Sequence, residues 1–306
     1  MKRKERERKK QLKERRSARQ RTTPLWQKLV LPAAVTVGIG VYIGLTHDDS
    51  DTPQPPQDDP AIVLPSVDVN KYASDIVSTE FENTEGTLHL VLQTHEIPDQ
   101  LRVLYRQYEK IEKVPEIQKN IFRILQDIYR QGVRLYTNEG IAVADNPDVK
   151  ATPLERATLN SIASSDQSLE AFMGELDHPS QAIFFLTHPE AMYRGYEDPD
   201  LSRETTQAYV ELAKAIGNRG RRQEFGRYVA RVDSLRDERS RVCVQNSIAL
   251  ARELHEDGLL ERPDAAALIG GNHFVFISHM FQSPESRAKY GLEGIQLKVY
   301  VPHGMD

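Results

Sequence analysis

Histidines and carboxylates follow short apolar segments at several points of this sequence. His95 and Glu96 come after TLHLVL, Glu139 after VRLY, Glu197 after MYRGY, and His273 after AALI. Neutral imidazole and carboxylate groups bind zinc, manganese or iron and can leave coordination positions open. If the apolar segments are parallel strands, their carboxyl ends meet at one edge of a sheet, which is where open α/β sheets bind ligands. The pattern therefore predicts a metal site at strand ends.

Each of these residues also has a structural interpretation. A histidine after a strand commonly caps the chain or lies at the surface, Glu139-Gly140 is compatible with a turn, and Glu197-Asp198 is compatible with the start of a helix at Pro199. Their joint occurrence at four predicted strand ends favours a shared site.

The elements that would position these residues follow from the spacing of apolar side chains. Strands are predicted at Thr87–Leu92, Val133–Tyr136, Ala265–Ile269 and Ile295–Val301, with a fifth candidate at Met192–Tyr196. Helices are predicted at 99–112, 117–131, 203–217, 221–235 and 238–256. Strands separated by helices indicate an α/β domain with a largely parallel sheet. The range of about 153–260 is interpreted as a long helical insertion.

The amino-terminal part of the chain is predicted to be a membrane anchor. Residues 1–28 form a strongly basic tail, and 29–45 (LVLPAAVTVGIGVYIGL) carry no charge. With its flanking residues this segment approaches the roughly 20 residues that cross a bilayer as a transmembrane helix. The basic residues before it and the aspartates after it predict a cytoplasmic amino terminus and an extracytoplasmic main domain. A cleaved signal peptide is the alternative, with a shorter apolar segment and small residues at the cleavage site.

Residues 46–60 are acidic and rich in proline, which predicts an extended linker before a folded domain at 61–306. Gly40 and Gly44 form a GxxxG pair through which two anchors could pack as a homodimer.

Composition excludes several classes of function. The net charge of −5 combined with a basic tail leaves an acidic main domain, which argues against a nucleic-acid partner. The single cysteine, Cys243, excludes an intramolecular disulfide, a dithiol redox centre and a multi-cysteine zinc site. It lies in a helical pattern, where burial in the core is its expected role. The sequence contains neither a glycine-rich phosphate loop nor a GxSxG nucleophile motif.

Five motifs, taken in order, resemble the superfamily that joins TraB and PrgY proteins, Tiki metalloproteases, ChaN and erythromycin-esterase-like proteins. They are LQTHE with His95, YTNEGI with Glu139, RGYEDPDL with Glu197, RDERSRVCVQN with Arg239, and IGGNHF with His273. The resemblance extends from residue 87 to about 301. The first motif departs from the family's GxxH pattern at Leu92 and Gln93, and Arg241 is an alternative to Arg239.

The resemblance, with its TraB and Tiki branch favoured, implies a metal-dependent hydrolase that cleaves a peptide or protein near the membrane. His95, Glu139 and His273 would hold zinc, manganese or cobalt. Glu197 or Glu96 would act as general base, and Arg239 would stabilise an oxyanion. Other members of the superfamily bind haem or iron compounds, or regulate without catalysis. A ChaN-like haem binder and a non-catalytic tethered regulatory or scaffold protein are therefore alternatives.

Overall fold

A single sheet organises the part of the chain that the computed structural model describes, which comprises residues 68–79, 81, 84–93, 114–142, 153–176, 180–217 and 224–305. Its six strands there are β1 (Ala73–Ser78), β2 (Gly86–Gln93), β3 (Leu135–Ala142), β4 (Met192–Glu197), β5 (Ala265–Gly270) and β6 (Ile295–Pro302). Their order across the sheet is β1-β6-β2-β5-β3-β4. The edge strand β1 runs antiparallel to β6, and all other neighbouring strands are parallel.

Helices connect and cover the strands. They are α1 (Val114–Arg130), α2 (Pro153–Ala163), α3 (Asp166–Leu176), α4 (Ser180–Thr187), α5 (Pro199–Gly217), α6 (Phe225–Glu256), α7 (Phe274–Met280) and α8 (Pro284–Tyr290). Short 3₁₀ turns occupy Val69–Lys71 and Gly271–His273. In α1 the apolar residues recur every three or four positions from Ile117 to Ile128 and are fully buried, which explains why this amphipathic helix forms against the sheet.

The two faces of the sheet pack against different helices. Residues such as Tyr136 and Leu268 point into a core formed with α1 to α4. Their neighbours Leu135 and Ala267 point into a second core formed with α6 and α7. This division follows from the alternation of side chains along a strand. The central strands β2 and β5 are thus buried on both sides, as their nearly continuous apolar sequences predict.

After the neighbouring strands β3 and β5, the chain continues to opposite faces of the sheet. The helices α2 to α4, which follow β3, cover one face, and α7, which follows β5, covers the other. Such a reversal opens a crevice at the carboxyl ends of the two strands, the usual place for a ligand in an open α/β sheet.

The α/β fold with a largely parallel sheet is confirmed, and all five predicted strand segments overlap strands, although Val133 and Arg134 precede β3. Three details differ. Strand β1 was not predicted. From Phe225 onwards, the predicted helices 221–235 and 238–256 belong to one continuous helix, α6, because neither glycine nor proline interrupts the chain between them. Strand β4 divides the range 153–260, so its helices form two connections between strands.

Several predicted segments lie outside the described residues. These are the basic tail, the transmembrane segment 29–45 with its GxxxG pair, the linker, the helix at 99–112, and the pair His95 and Glu96. Within the described part of the chain, the helices are too short or too polar to cross a membrane.

Candidate functional site

Glu139 lies in a bulge at the carboxyl end of β3. Asn138 pairs with Gly195 of β4, and the next paired residue of β3 is Ala142, which faces Glu197. Three residues of β3 therefore lie opposite a single residue of β4 at this point. Bulges of this kind bend a strand and redirect its side chains. Here the Glu139 carboxylate reaches towards α6 and the end of β5.

Arg239 of α6 joins the carboxylates at the ends of β3 and β4. One of its terminal nitrogens, Nη2, donates to Glu139 Oε1 at 3.0 Å and also to Glu197 Oε1. The other oxygen of Glu139 accepts a hydrogen bond from the backbone N–H of Gly270 at 2.9 Å. All three charged side chains are largely buried, with exposed fractions of 17% for Arg239, 15% for Glu139 and 7% for Glu197.

The cluster contains two carboxylates but only one guanidinium. Burial alone would lower the pKa of Arg239, but the nearby carboxylates of Glu139 and Glu197 outweigh burial and raise that pKa above its ordinary value. Arg239 is therefore a permanent cation here. Two carboxylates share this one cation, so the cluster can accept further positive charge, either as a bound cation or as a proton.

His273 completes the group from the turn that follows β5. Its ring is buried, and its Nδ1 lies 2.8 Å from Ser240 Oγ. Its Nε2 lies 3.7 Å from Glu139 Oε1. A Cβ atom at Gly270 would lie 3.4 Å from Glu139 Oε2 and 3.7 Å from His273 Cδ2. Both distances are ordinary van der Waals contacts, so position 270 lies directly beside the carboxylate and the imidazole.

A small cavity lies between these side chains. Its volume is about 10 Å³, which is roughly the room that one water molecule or one ion requires. Polar groups of Glu139, Glu197, Arg239 and His273 line it together with apolar atoms of Ile269. The arrangement can therefore hold a single small polar species between carboxylates, a guanidinium and an imidazole.

The residues around the cluster have structural roles. The Asp198 carboxylate accepts hydrogen bonds from the backbone of Asp200 and Leu201, so it caps the start of α5. The side-chain amide of Asn246 donates to the carbonyl of Tyr196 at 2.8 Å and ties α6 to β4. Burial raises the pKa of the Cys243 thiol, and Cys243 is fully buried as expected, so it is not a nucleophile in this state.

Four of the six predicted site residues come together. Glu139, Glu197, Arg239 and His273 line the same cavity, whereas His95 and Glu96 lie outside the described residues. The alternative arginine, Arg241, bonds instead to Glu238 and Gln245 on α6.

Two groups of the site were not predicted, namely the Ser240 hydroxyl and the Gly270 N–H. A partial signal existed for Ser240, because it shares a helical face with the buried Cys243 and Ser247.

Two of the three predicted metal ligands, Glu139 and His273, lie close together among the described residues. Among them, no group of three histidine, cysteine or acidic side chains is arranged to hold a metal ion. Glu139 Oε1 and His273 Nε2, at 3.7 Å, are close to the separation of about 3.4 Å expected for two ligands of one tetrahedral zinc ion. Arg239 bonds to the same oxygen, so a metal there would share Glu139 with the guanidinium.

Comparison with known proteins adds no further information on the site. Neither a family model, nor a curated protein, nor a solved structure matches this chain. Membership of the TraB and Tiki superfamily therefore stays a prediction from the motifs.

Proposed function

We propose that this protein is a membrane-anchored, metal-dependent hydrolase of the Tiki and TraB type that acts on a peptide or protein outside the cytoplasm. The observation that supports this best is the convergence of Glu139 and His273 on one small cavity. Glu139 lies in β3 and His273 in the turn after the neighbouring parallel strand β5, where the chain leaves the sheet towards opposite faces.

The proposed ligands are Glu139, His273 and His95. Gln93, the last residue of β2, pairs with Gly270 at the end of β5, and His95 is two residues further along the chain. Two residues span at most about 7 Å. A bound zinc, manganese or cobalt ion would polarise a scissile carbonyl and lower the pKa of a bound water.

The remaining side chains have proposed roles in proton transfer and charge stabilisation. Glu197, or Glu96, would accept a proton from the attacking water. Arg239 would stabilise negative charge on the carbonyl oxygen, because its guanidinium lines the same cavity. Residues 29–45 would anchor the domain in the membrane, and Gly40 and Gly44 could pair two anchors.

The test is hydrolysis of an unstructured protein such as casein by the full-length chain after reconstitution with each metal. One of the two variants Glu197→Gln and Glu96→Gln should abolish hydrolysis and leave metal content unchanged, because it removes the proton acceptor and no proposed ligand. Arg241→Gln, a change on the same helix outside the cavity, should leave hydrolysis intact. Hydrolysis that survives both Glu197→Gln and Glu96→Gln would refute the proposed bases.

A non-catalytic tethered regulatory or scaffold protein is the second candidate. The observation that favours it is that Arg239 already bonds to both carboxylates, and so links β3, β4 and α6 without any ligand. Such a protein would keep its function after loss of His273. The haem-binding alternative gains no support from this cavity, because about 10 Å³ is far smaller than a cofactor pocket of several hundred Å³.

A further inference from the structure

Ser240 makes two hydrogen-bonding contacts from the buried face of α6. Its side chain is fully buried, and its Oγ lies 2.8 Å from the carbonyl oxygen of Arg236, one turn earlier in the helix. The same Oγ lies 2.8 Å from Nδ1 of His273. Both distances are those of ordinary hydrogen bonds, so the number of available hydrogens decides their direction.

A serine hydroxyl has a single hydrogen to donate, and a carbonyl oxygen can only accept. The hydrogen of Ser240 must therefore point to the carbonyl of Arg236, a bond that serine often makes within a helix. Towards His273 the hydroxyl oxygen can then only accept, so Nδ1 of the imidazole must carry a hydrogen. The opposite arrangement would place two oxygens 2.8 Å apart with no hydrogen between them.

We infer that Ser240 is a positioning residue that holds the hydrogen of His273 on Nδ1 and leaves Nε2 as the nitrogen that meets a ligand. This nitrogen lies 3.7 Å from Glu139 Oε1, and the imidazole lines the cavity. A neutral imidazole in this form presents a lone pair from Nε2 towards the cavity, beside the carboxylate. A metal-binding histidine is commonly oriented in this way, by a hydrogen bond from the ring nitrogen that does not bind the metal.

The assignment of the hydrogen depends only on Ser240, Arg236 and His273. The identification of the Nε2 ligand as a metal ion, by contrast, rests on the proposed function. The two statements can therefore fail separately.

Two other histidines provide internal references. Nδ1 of His188 lies 2.9 Å from the carbonyl oxygen of Phe184, and Nδ1 of His255 lies 2.9 Å from that of Leu260. Because carbonyl oxygens only accept, both rings must also carry hydrogen on Nδ1. Their nuclear magnetic resonance signals thus define the pattern that His273 should match.

The test is a two-dimensional ¹H–¹⁵N multiple-bond spectrum of the full-length chain labelled with ¹⁵N-histidine, recorded at mildly alkaline pH. The signals of His273 are identified by their loss in His273→Gln. The expected result for the wild type is the Nδ1–H pattern. An Nε2–H pattern would overturn the inference, and this spectrum decides the hydrogen's position even if no Ser240 variant folds.

Two substitutions then test the role of Ser240. Ser240→Ala should allow the Nε2–H form of His273, whereas Ser240→Thr, which keeps the hydroxyl, should retain the wild-type pattern. Persistence of the pure Nδ1–H pattern in a folded Ser240→Ala variant would overturn the positioning role.

Titration with zinc separates the inference from the proposed function. Ser240→Ala should weaken zinc binding by roughly 10- to 100-fold, and Ser240→Thr should stay within a few-fold of the wild type. A wild type that shows the Nδ1–H pattern and binds no zinc would support the inference and refute the proposed metal site. Zinc affinity unchanged in Ser240→Ala would overturn the positioning role.

Discussion

The charge balance of the site depends on Arg239. It bonds to Glu139 and Glu197, both largely buried, and is itself 17% exposed. Removal of one partner from a buried ionic cluster leaves charge without compensation, which costs far more than loss of a surface ion pair. The cluster is thus a structural element as well as a candidate for catalysis.

Replacement of Arg239 by methionine should therefore lower the free energy of unfolding by about 3 kcal/mol, because two carboxylates would face each other at the end of the sheet. Arg241→Met is the matched control. Its ion pair with Glu238 is more exposed and should contribute less than about 1 kcal/mol. Urea unfolding of the two variants provides the comparison. Equal losses would contradict the assigned difference in burial.

At the residue scale the sequence predicted the members of the cluster better than their contacts. Glu139, Glu197 and His273 could be predicted because each follows an apolar segment, and such a pattern is visible within a few consecutive residues. The partner of Glu139 is Arg239, 100 residues away. Nothing in local spacing reveals which strands are neighbours, so only the resemblance placed Arg239 at the site, and its ion pair with Glu139 was not predicted.

At the scale of elements, strands that are buried on both faces were predicted, whereas the strand β1 at the edge of the sheet was not. Strands β2 and β5 are almost continuously apolar and were predicted within two residues at each end. Strand β1 (ASDIVS) is mostly exposed and contributes only Ala73 and Ile76 to the core, so it lacks the apolar pattern of a strand. Its pairing with β6 is set by tertiary structure.

Two glycines at the ends of helices should respond oppositely to alanine. Gly132, after α1, has φ of +96°, a conformation that a Cβ atom disfavours, so Gly132→Ala should destabilise by about 1 kcal/mol. Gly226, in the first turn of α6, has open space around a Cβ atom, so Gly226→Ala should stabilise by about 0.5 kcal/mol. The shift of the thermal unfolding midpoint from that of the wild type, measured for each variant, tests both expectations. A shift of the same sign in both would contradict the assigned conformations.

At the scale of the whole molecule, two buried histidines away from the site make stability depend on pH. His89 lies in the central strand β2 with Nδ1 2.9 Å from the Tyr300 hydroxyl, and burial is the main cause that lowers its pKa to about 3. Burial also lowers the pKa of His188 to about 4. Both rings are neutral in the folded protein near neutral pH, whereas in the unfolded chain they take up protons near their ordinary value of 6.5.

The free energy of unfolding should therefore be fully retained above about pH 6.5 and fall as the pH decreases towards 4, because the unfolded chain then binds more protons than the folded protein. Each of these histidines lowers the free energy of unfolding by up to about 1.4 kcal/mol for each pH unit in that range. His89→Gln should lose less stability on acidification than the wild type does. Urea unfolding at several pH values measures this. An identical pH dependence in His89→Gln and the wild type would refute the assignment.

The most direct test of the proposed function is the metal content of the purified full-length chain after reconstitution with zinc, manganese or cobalt, measured by mass spectrometry. A Glu139→Gln/His273→Gln double variant and an Arg241→Gln control are measured beside it. We expect about one metal ion per chain in the wild type and the control, and none in a double variant that keeps its fold. Absence of metal from the wild type, or equal content in the folded double variant, would contradict a metal site at this edge of the sheet and favour the non-catalytic tethered protein.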